Sequence, residues 1–309
     1  MIFAMLKRAT FTRLWAKSII GLSMALLLSG CGLLFGSADT SPSQPSTPTG
    51  TQLFQPGPPT DTPLPSPTPT PCPNDYQLDQ VQSYPSSILD LDIPLLVYLP
   101  PCYDATITYP LVFMLHGSPM DENQWVELGA IDLLNHGYHT MGWTPAIIVI
   151  PYLPEPLFTQ SDGGPNSYED ELVNSLVPFI KTHYAVSADH AAIAGISRGG
   201  VWAIEIALTH PELFSIVGAI SPALHVNNPR PEYDPYLLVD NNPNLPAYFV
   251  MSAGDNEPGF SNATHRLAQA LTVAGRPTEV YVVAGNHVPE NWEAGLALVL
   301  ADIMAALGK

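Results

Sequence analysis

Basic residues are scarce in this chain. Its 309 residues include 10 Lys and Arg against 28 Asp and Glu, for a formal charge of −18. Lys7, Arg8, Arg13 and Lys17 belong to that small basic set, so the chain beyond them is more acidic still. Such a surface repels phosphate backbones, which excludes nucleic acid as a natural partner and favours solubility. Cysteine is equally sparse, with only Cys31, Cys72 and Cys102. Their spacing, with no histidines nearby, argues against a zinc site. The apolar run Ile19 to Leu28 is too short to cross a bilayer comfortably.

What is present at the start of the chain reads as an export signal. Lys7 to Lys17 form a positive segment, followed by the apolar run and then Leu28-Ser29-Gly30-Cys31. Small residues before a cysteine resemble the lipobox of bacterial lipoproteins. That resemblance implies removal of residues 1–30 and a lipid on Cys31 that anchors the protein to a membrane. An uncleaved anchor helix is the alternative, and both readings place the body outside the cytoplasm, in the cell envelope.

Proline is abundant, at 34 residues, and much of it precedes residue 74. Residues 37–74 are dominated by Ser, Thr, Pro and Gly, a composition that buries too little apolar surface to offset the entropy of ordering. The expected organisation is a signal peptide over 1–30, a lipid-anchored Cys31 with a disordered linker over 31–74, and one domain over 75–309. The last is long enough for a single large core. Outside the cytoplasm Cys72 and Cys102 can pair as a disulfide, although spacing alone does not show that they approach.

From residue 88 onward strand and helix signals alternate. Short apolar runs occur at Leu95–Leu99, Leu111–Leu115, Ala146–Ile150, Ala191–Ala194, Ile216–Ile220, Ala247–Met251 and Val280–Val283. Helical stretches are expected at about Tyr168–Tyr184, at Arg198–Thr209, around Leu267, Ala270, Leu271 and Ala274 up to Gly275, and at Asn291–Leu307. This alternation predicts an α/β domain with a mostly parallel sheet covered on both faces. Residues 222–245, rich in Asn, Pro and Asp, break the rhythm. They are either a wall of a ligand site or a plain surface excursion.

Gly195-Ile196-Ser197-Arg198-Gly199 matches G-x-S-x-G between a predicted strand and a predicted helix, the setting of a nucleophile elbow. A serine hydroxyl needs a base, and His287 is the best placed, in a loop after the final apolar run. The other histidines fall in helical, intervening or peripheral segments, and His116 reads as structural. The acid that orients His287 should follow the run Ala247–Met251, where Asp255 and Glu257 both qualify. The backbone N–H groups of Arg198 and Ser118 are the candidate oxyanion donors. This chemistry calls for no metal or organic cofactor.

These residues resemble the esterase D-like "putative esterase" family of the α/β-hydrolase superfamily, which includes feruloyl and enterochelin esterases and S-formylglutathione hydrolases. The likeness runs from about Tyr76 to the C-terminus. Tyr98-Leu99-Pro100-Pro101-Cys102-Tyr103-Asp104 is similar to that family's YLPPGYD pattern, with cysteine replacing glycine. Tyr109-Pro110 through His116-Gly117, with Trp125, is similar to its oxyanion segment. Ala192 to Gly200 resembles its elbow, His210-Pro211-Glu212-Leu213-Phe214 the end of the next helix, and Gly285-Asn286-His287 with Trp292 its histidine loop. The resemblance implies an α/β-hydrolase fold and an acid three residues after a loop glycine, which favours Glu257 over Asp255. Glu257-Pro258 further resembles the enterochelin-esterase branch. The expected function is a serine carboxylic ester hydrolase acting on a small-molecule ester. An acyltransferase on the same scaffold and a non-catalytic binding lipoprotein are the alternatives.

Overall fold

The computed structural model describes residues 72–160 and 162–309. The export signal, Cys31 and most of the linker lie outside the described residues. Nine strands form one sheet: β1 (Gln77–Leu78), β2 (Ser83–Pro85), β3 (Asp92–Leu99), β4 (Tyr109–Leu115), β5 (Ile147–Pro151), β6 (Val186–Ile196), β7 (Ile216–Ile220), β8 (Tyr248–Gly254) and β9 (Thr278–Val283). Their order is β1-β3-β5-β4-β6-β7-β8-β9, with β2 paired to β3. Strands β4 to β9 pair in parallel, while β3 runs antiparallel to β5 and to β1 and β2.

The helices are α1 (Gln124–Glu127), α2 (Ala130–His136), α3 (Leu157–Gln160), α4 (Tyr168–Glu171), α5 (Val177–His183), α6 (Arg198–Thr209), α7 (Pro235–Asn241), α8 (Pro258–Val273) and α9 (Pro289–Leu307). Successive strand residues alternate between two cores, as the pleat requires. Leu111, Phe113 and Leu115 join α6 and α8 on one face, whereas Val112 and Met114 join α2 and α9 on the other. Both faces of the central strands are therefore covered, which explains why β4, β5 and β7 read as unbroken apolar runs. Each large side chain buried this way contributes about 1.5–3 kcal/mol. At Gly218, in the middle of β7, an added Cβ would lie 2.6 Å from the Ile303 side chain of α9. Helix and sheet approach so closely there that any side chain would push the Ile303 methyl aside.

The predicted strands and helices all occur, several with longer bounds. The stretch Tyr168–His183 is α4, a wider π turn over Leu172–Leu176, and α5 in succession. Strands β1 and β2 and helices α1, α2, α3 and α7 go beyond the sequence reading. One histidine needs correction: His190 lies in strand β6, not in a helical or intervening segment.

Candidate active site

Strand β6 ends at Ile196 and α6 begins at Arg198, so Ser197 alone makes the turn. Its backbone has φ 54° and ψ −115°, a left-handed conformation that is costly for a residue with a side chain. Its neighbours over-determine it. The Ser197 N–H donates to the Ile220 carbonyl at 2.9 Å, and its own carbonyl accepts from Ala223 N–H at 3.0 Å. The motif glycines have a steric purpose. A Cβ on Gly195 would overlap the backbone of Gly199, and one on Gly199 would overlap the His116 carbonyl.

His287 lies between β9 and α9. Its Nε2 is 2.9 Å from Ser197 Oγ, and its Nδ1 is 2.8 Å from Glu257 Oε2. Phe260 stacks on the imidazole with centroids 4.0 Å apart, and Trp292 meets it edge-on at 5.1 Å. Glu257 is buried where β8 turns into α8. Its Oε1 accepts from the Gly254 N–H and from the Ser221 hydroxyl. Burial pushes the carboxyl up, but the hydrogen bonds from His287, Ser221 and Gly254 outweigh it and leave it below the usual glutamate range. Asp255, the other acid candidate, is exposed and accepts from Gly285 N–H at 2.9 Å. It ties two loops together; the residue facing His287 is Glu257.

The segment after β4 closes the third side. A Cβ on Gly117 would sit 3.3 Å from Ser197 Cβ, so this loop lies against Ser197. It is fixed by Gly117 N–H donating to Gln124 Oε1 at 2.7 Å. His116 is buried, and burial lowers its pKa, which favours the neutral ring. Nε2 accepts from Leu153 N–H at 2.9 Å, which leaves the proton on Nδ1 for the Gly117 carbonyl, also at 2.9 Å. His116 thus positions the loop from behind, as the structural reading expected. The Ser118 amide has no acceptor among the described residues. The Arg198 amide opens α6, where N–H groups point out along the helix axis.

A cleft of about 630 Å³ opens beside Ser118 and Arg198, walled by Val226, Asn227 and Arg230 from the segment between β7 and β8. That segment, ambiguous in the sequence, thus borders the site. It is fixed by a half-buried relay that ends on the buried Glu205: Arg198 Nη1 donates to Asn227 Oδ1, and Asn227 Nδ2 donates to Glu205 Oε1, each at 2.7 Å. Burial raises the Glu205 pKa from 4.5 to about 8, against the opposing pull of Arg198 and Asn227. The folded protein therefore holds a proton that the unfolded chain releases. The stability this provides is complete below pH 4.5 and is lost as pH rises to about 8. Glu205→Gln is expected to remove that slope. In urea unfolding at pH 5 and pH 8, wild type should lose a few kcal/mol more than the variant. Equal losses would contradict the assignment.

Cys72 and Cys102 are bonded as a disulfide, with Cα atoms 6.0 Å apart. Ser221, Gln124, Phe260, Asn227 and Glu205 are site residues that the sequence reading missed.

A family profile described as "Putative esterase" matches residues 86–303. An endo-1,4-beta-xylanase/feruloyl esterase of Xylanibacter ruminicola is 28% identical over 201 residues, covering 62% of this chain and 26% of that protein. A ferri-bacillibactin esterase of Bacillus subtilis is 26% identical over 124 residues, covering 40% and 43%. The chain thus spans about a quarter of one curated relative and less than half of the other. The solved ferulic acid esterase of Anaeromyces mucronatus superposes with a TM-score of 0.62 at 20% identity, covering 78% of this chain and 95% of that one. At that identity the likeness establishes the fold, which is the α/β-hydrolase fold.

Proposed function

The chain belongs to the "Putative esterase" family; we propose that it is a serine carboxylic ester hydrolase, and, from the sequence around Cys31, that it is exported and tethered to a membrane through that residue. The observation that carries the catalytic reading is the continuous relay from Ser197 Oγ through His287 to Glu257, with contacts of 2.9 and 2.8 Å. His287 Nε2 takes the Ser197 proton as Oγ attacks the ester carbonyl. The Arg198 and Ser118 amides face the developing oxyanion. When the tetrahedral intermediate collapses, the ester C–O bond breaks and the alcohol leaves with the proton from His287. Water then attacks the acyl-enzyme by the same route in reverse. Glu257 holds the imidazole in the Nδ1–H tautomer and stabilises its cation.

A panel of short acyl, feruloyl and siderophore-lactone esters tests this function. Turnover of at least one, with stoichiometric release of acid and alcohol, is expected. Failure on all three, with no covalent labelling by a fluorophosphonate, would overturn it. Export and tethering rest on Leu28-Ser29-Gly30-Cys31, and the Cys72–Cys102 disulfide is in keeping with an oxidising compartment. In a bacterial host, globomycin is expected to raise the apparent mass; an unchanged mass would refute lipidation at Cys31.

A further inference from the structure

Ser221 follows β7 and is fully buried. Its backbone has φ 43°, a left-handed conformation, although it carries a side chain and precedes Pro222. A residue before proline is ordinarily driven to extended backbone. Strain of this kind persists where surrounding contacts impose it, and it clusters at functional sites. The contacts here are specific. On one side the Ile220 carbonyl accepts from Ser197 N–H; on the other, Ala223 N–H donates to the Ser197 carbonyl. Ser221 N–H itself donates to the Ser252 carbonyl at 2.7 Å, which registers it against β8. Held in this way, the Ser221 hydroxyl donates to Glu257 Oε1, on the carboxylate whose other oxygen faces His287. Its next acceptor, Asn291 Oδ1, is 3.5 Å away.

We propose that Ser221 is a positioning residue for the acid: it fixes the Glu257 carboxylate in the rotamer that orients His287, and its strained backbone is the local cost of aiming that hydroxyl. This rests on the catalytic reading of Ser197, His287 and Glu257. Ser221 reaches Glu257 through its own side chain, and its chain neighbours Ile220 and Ala223 bond the main chain of Ser197.

Ser221→Gly separates the two consequences. Glycine adopts φ 43° without strain but has no hydroxyl. The melting temperature is expected to equal or exceed that of wild type, while kcat falls about 10- to 100-fold, as when an outer-shell partner of a preorganised site is lost. KM should stay within about twofold, because the substrate does not touch Ser221. Ser221→Ala keeps the strain, should lose the same activity, and serves if the glycine variant folds poorly. In a Glu257→Gln background either substitution should cost little more, since both act through one carboxylate. Unchanged kcat in a variant of an enzyme that a fluorophosphonate labels would overturn the Ser221 role alone. So would the same fold-loss in both backgrounds, or a fall in melting temperature without a fall in kcat. A wild-type enzyme that neither labels nor turns over would overturn the catalytic reading and the Ser221 role with it.

Discussion

Ser197→Ala is expected to lower kcat about a million-fold while the fold survives. Among the described residues, Ser197 supplies the hydroxyl that meets the imidazole, with a proton to give and a lone pair to attack: His287 Nε2 lies 2.9 Å from Ser197 Oγ. Removing it leaves the oxyanion donors and the cleft, which support only the small residual rate of an enzyme without its nucleophile. Stability should change little. Alanine meets the same backbone strain at φ 54° as serine does, and the main-chain bonds to Ile220 and Ala223 do not involve the hydroxyl. Steady-state kinetics beside a thermal melt check both halves. Loss of activity together with loss of the melt would not support the catalytic role.

The second large effect concerns the acid. Glu257→Gln is expected to cost about ten-thousand-fold in kcat, whereas Asp255→Asn should stay within about tenfold. The glutamine is nearly isosteric, but its amide no longer favours the Nδ1–H tautomer and cannot stabilise the imidazolium. It also disturbs a full hydrogen-bond set, because Oε1 already accepts two donors, Gly254 N–H and Ser221 Oγ. Asp255 is exposed, and its partner is the Gly285 amide. Its loss should loosen the loop that carries His287 without removing any charge from the relay. The opposite ranking, in variants that melt like wild type, would reassign the acid.

The candidate nucleophile and base were legible in the sequence, because their signals are local. A serine between two glycines needs only its own strand and helix to become an elbow. A histidine just past the last strand needs only chain order. The acid was harder. Asp255 and Glu257 are two residues apart in one loop, and composition does not say which one turns inward. The resemblance to a family whose acid stands three residues after a loop glycine favoured Glu257, and the structure gives that spacing a cause. Gly254 supplies an N–H to the carboxylate, and a Cβ there would lie 2.9 Å from Glu257 Oε1. Ser221 left no trace in sequence, because a serine before a proline is unremarkable. Its importance arises from the parallel register of β7 and β8 and from a positive φ, both products of tertiary structure. Helix α7 was hidden by Asn- and Pro-rich surroundings. Yet Asp234-Pro235 is a helix start, since the Asp234 carboxylate accepts from Tyr236 N–H at 2.8 Å. Strands β1 and β2, of two and three residues, are too short to show periodicity.

The central claim is that Ser197 is a nucleophile activated by His287 and Glu257. The most direct measurement is the intact mass of the protein after a fluorophosphonate, followed by peptide mapping. A single adduct on Ser197 is expected, absent in Ser197→Ala and formed far more slowly in Glu257→Gln. An adduct on another residue, or none in folded wild-type protein, would contradict it.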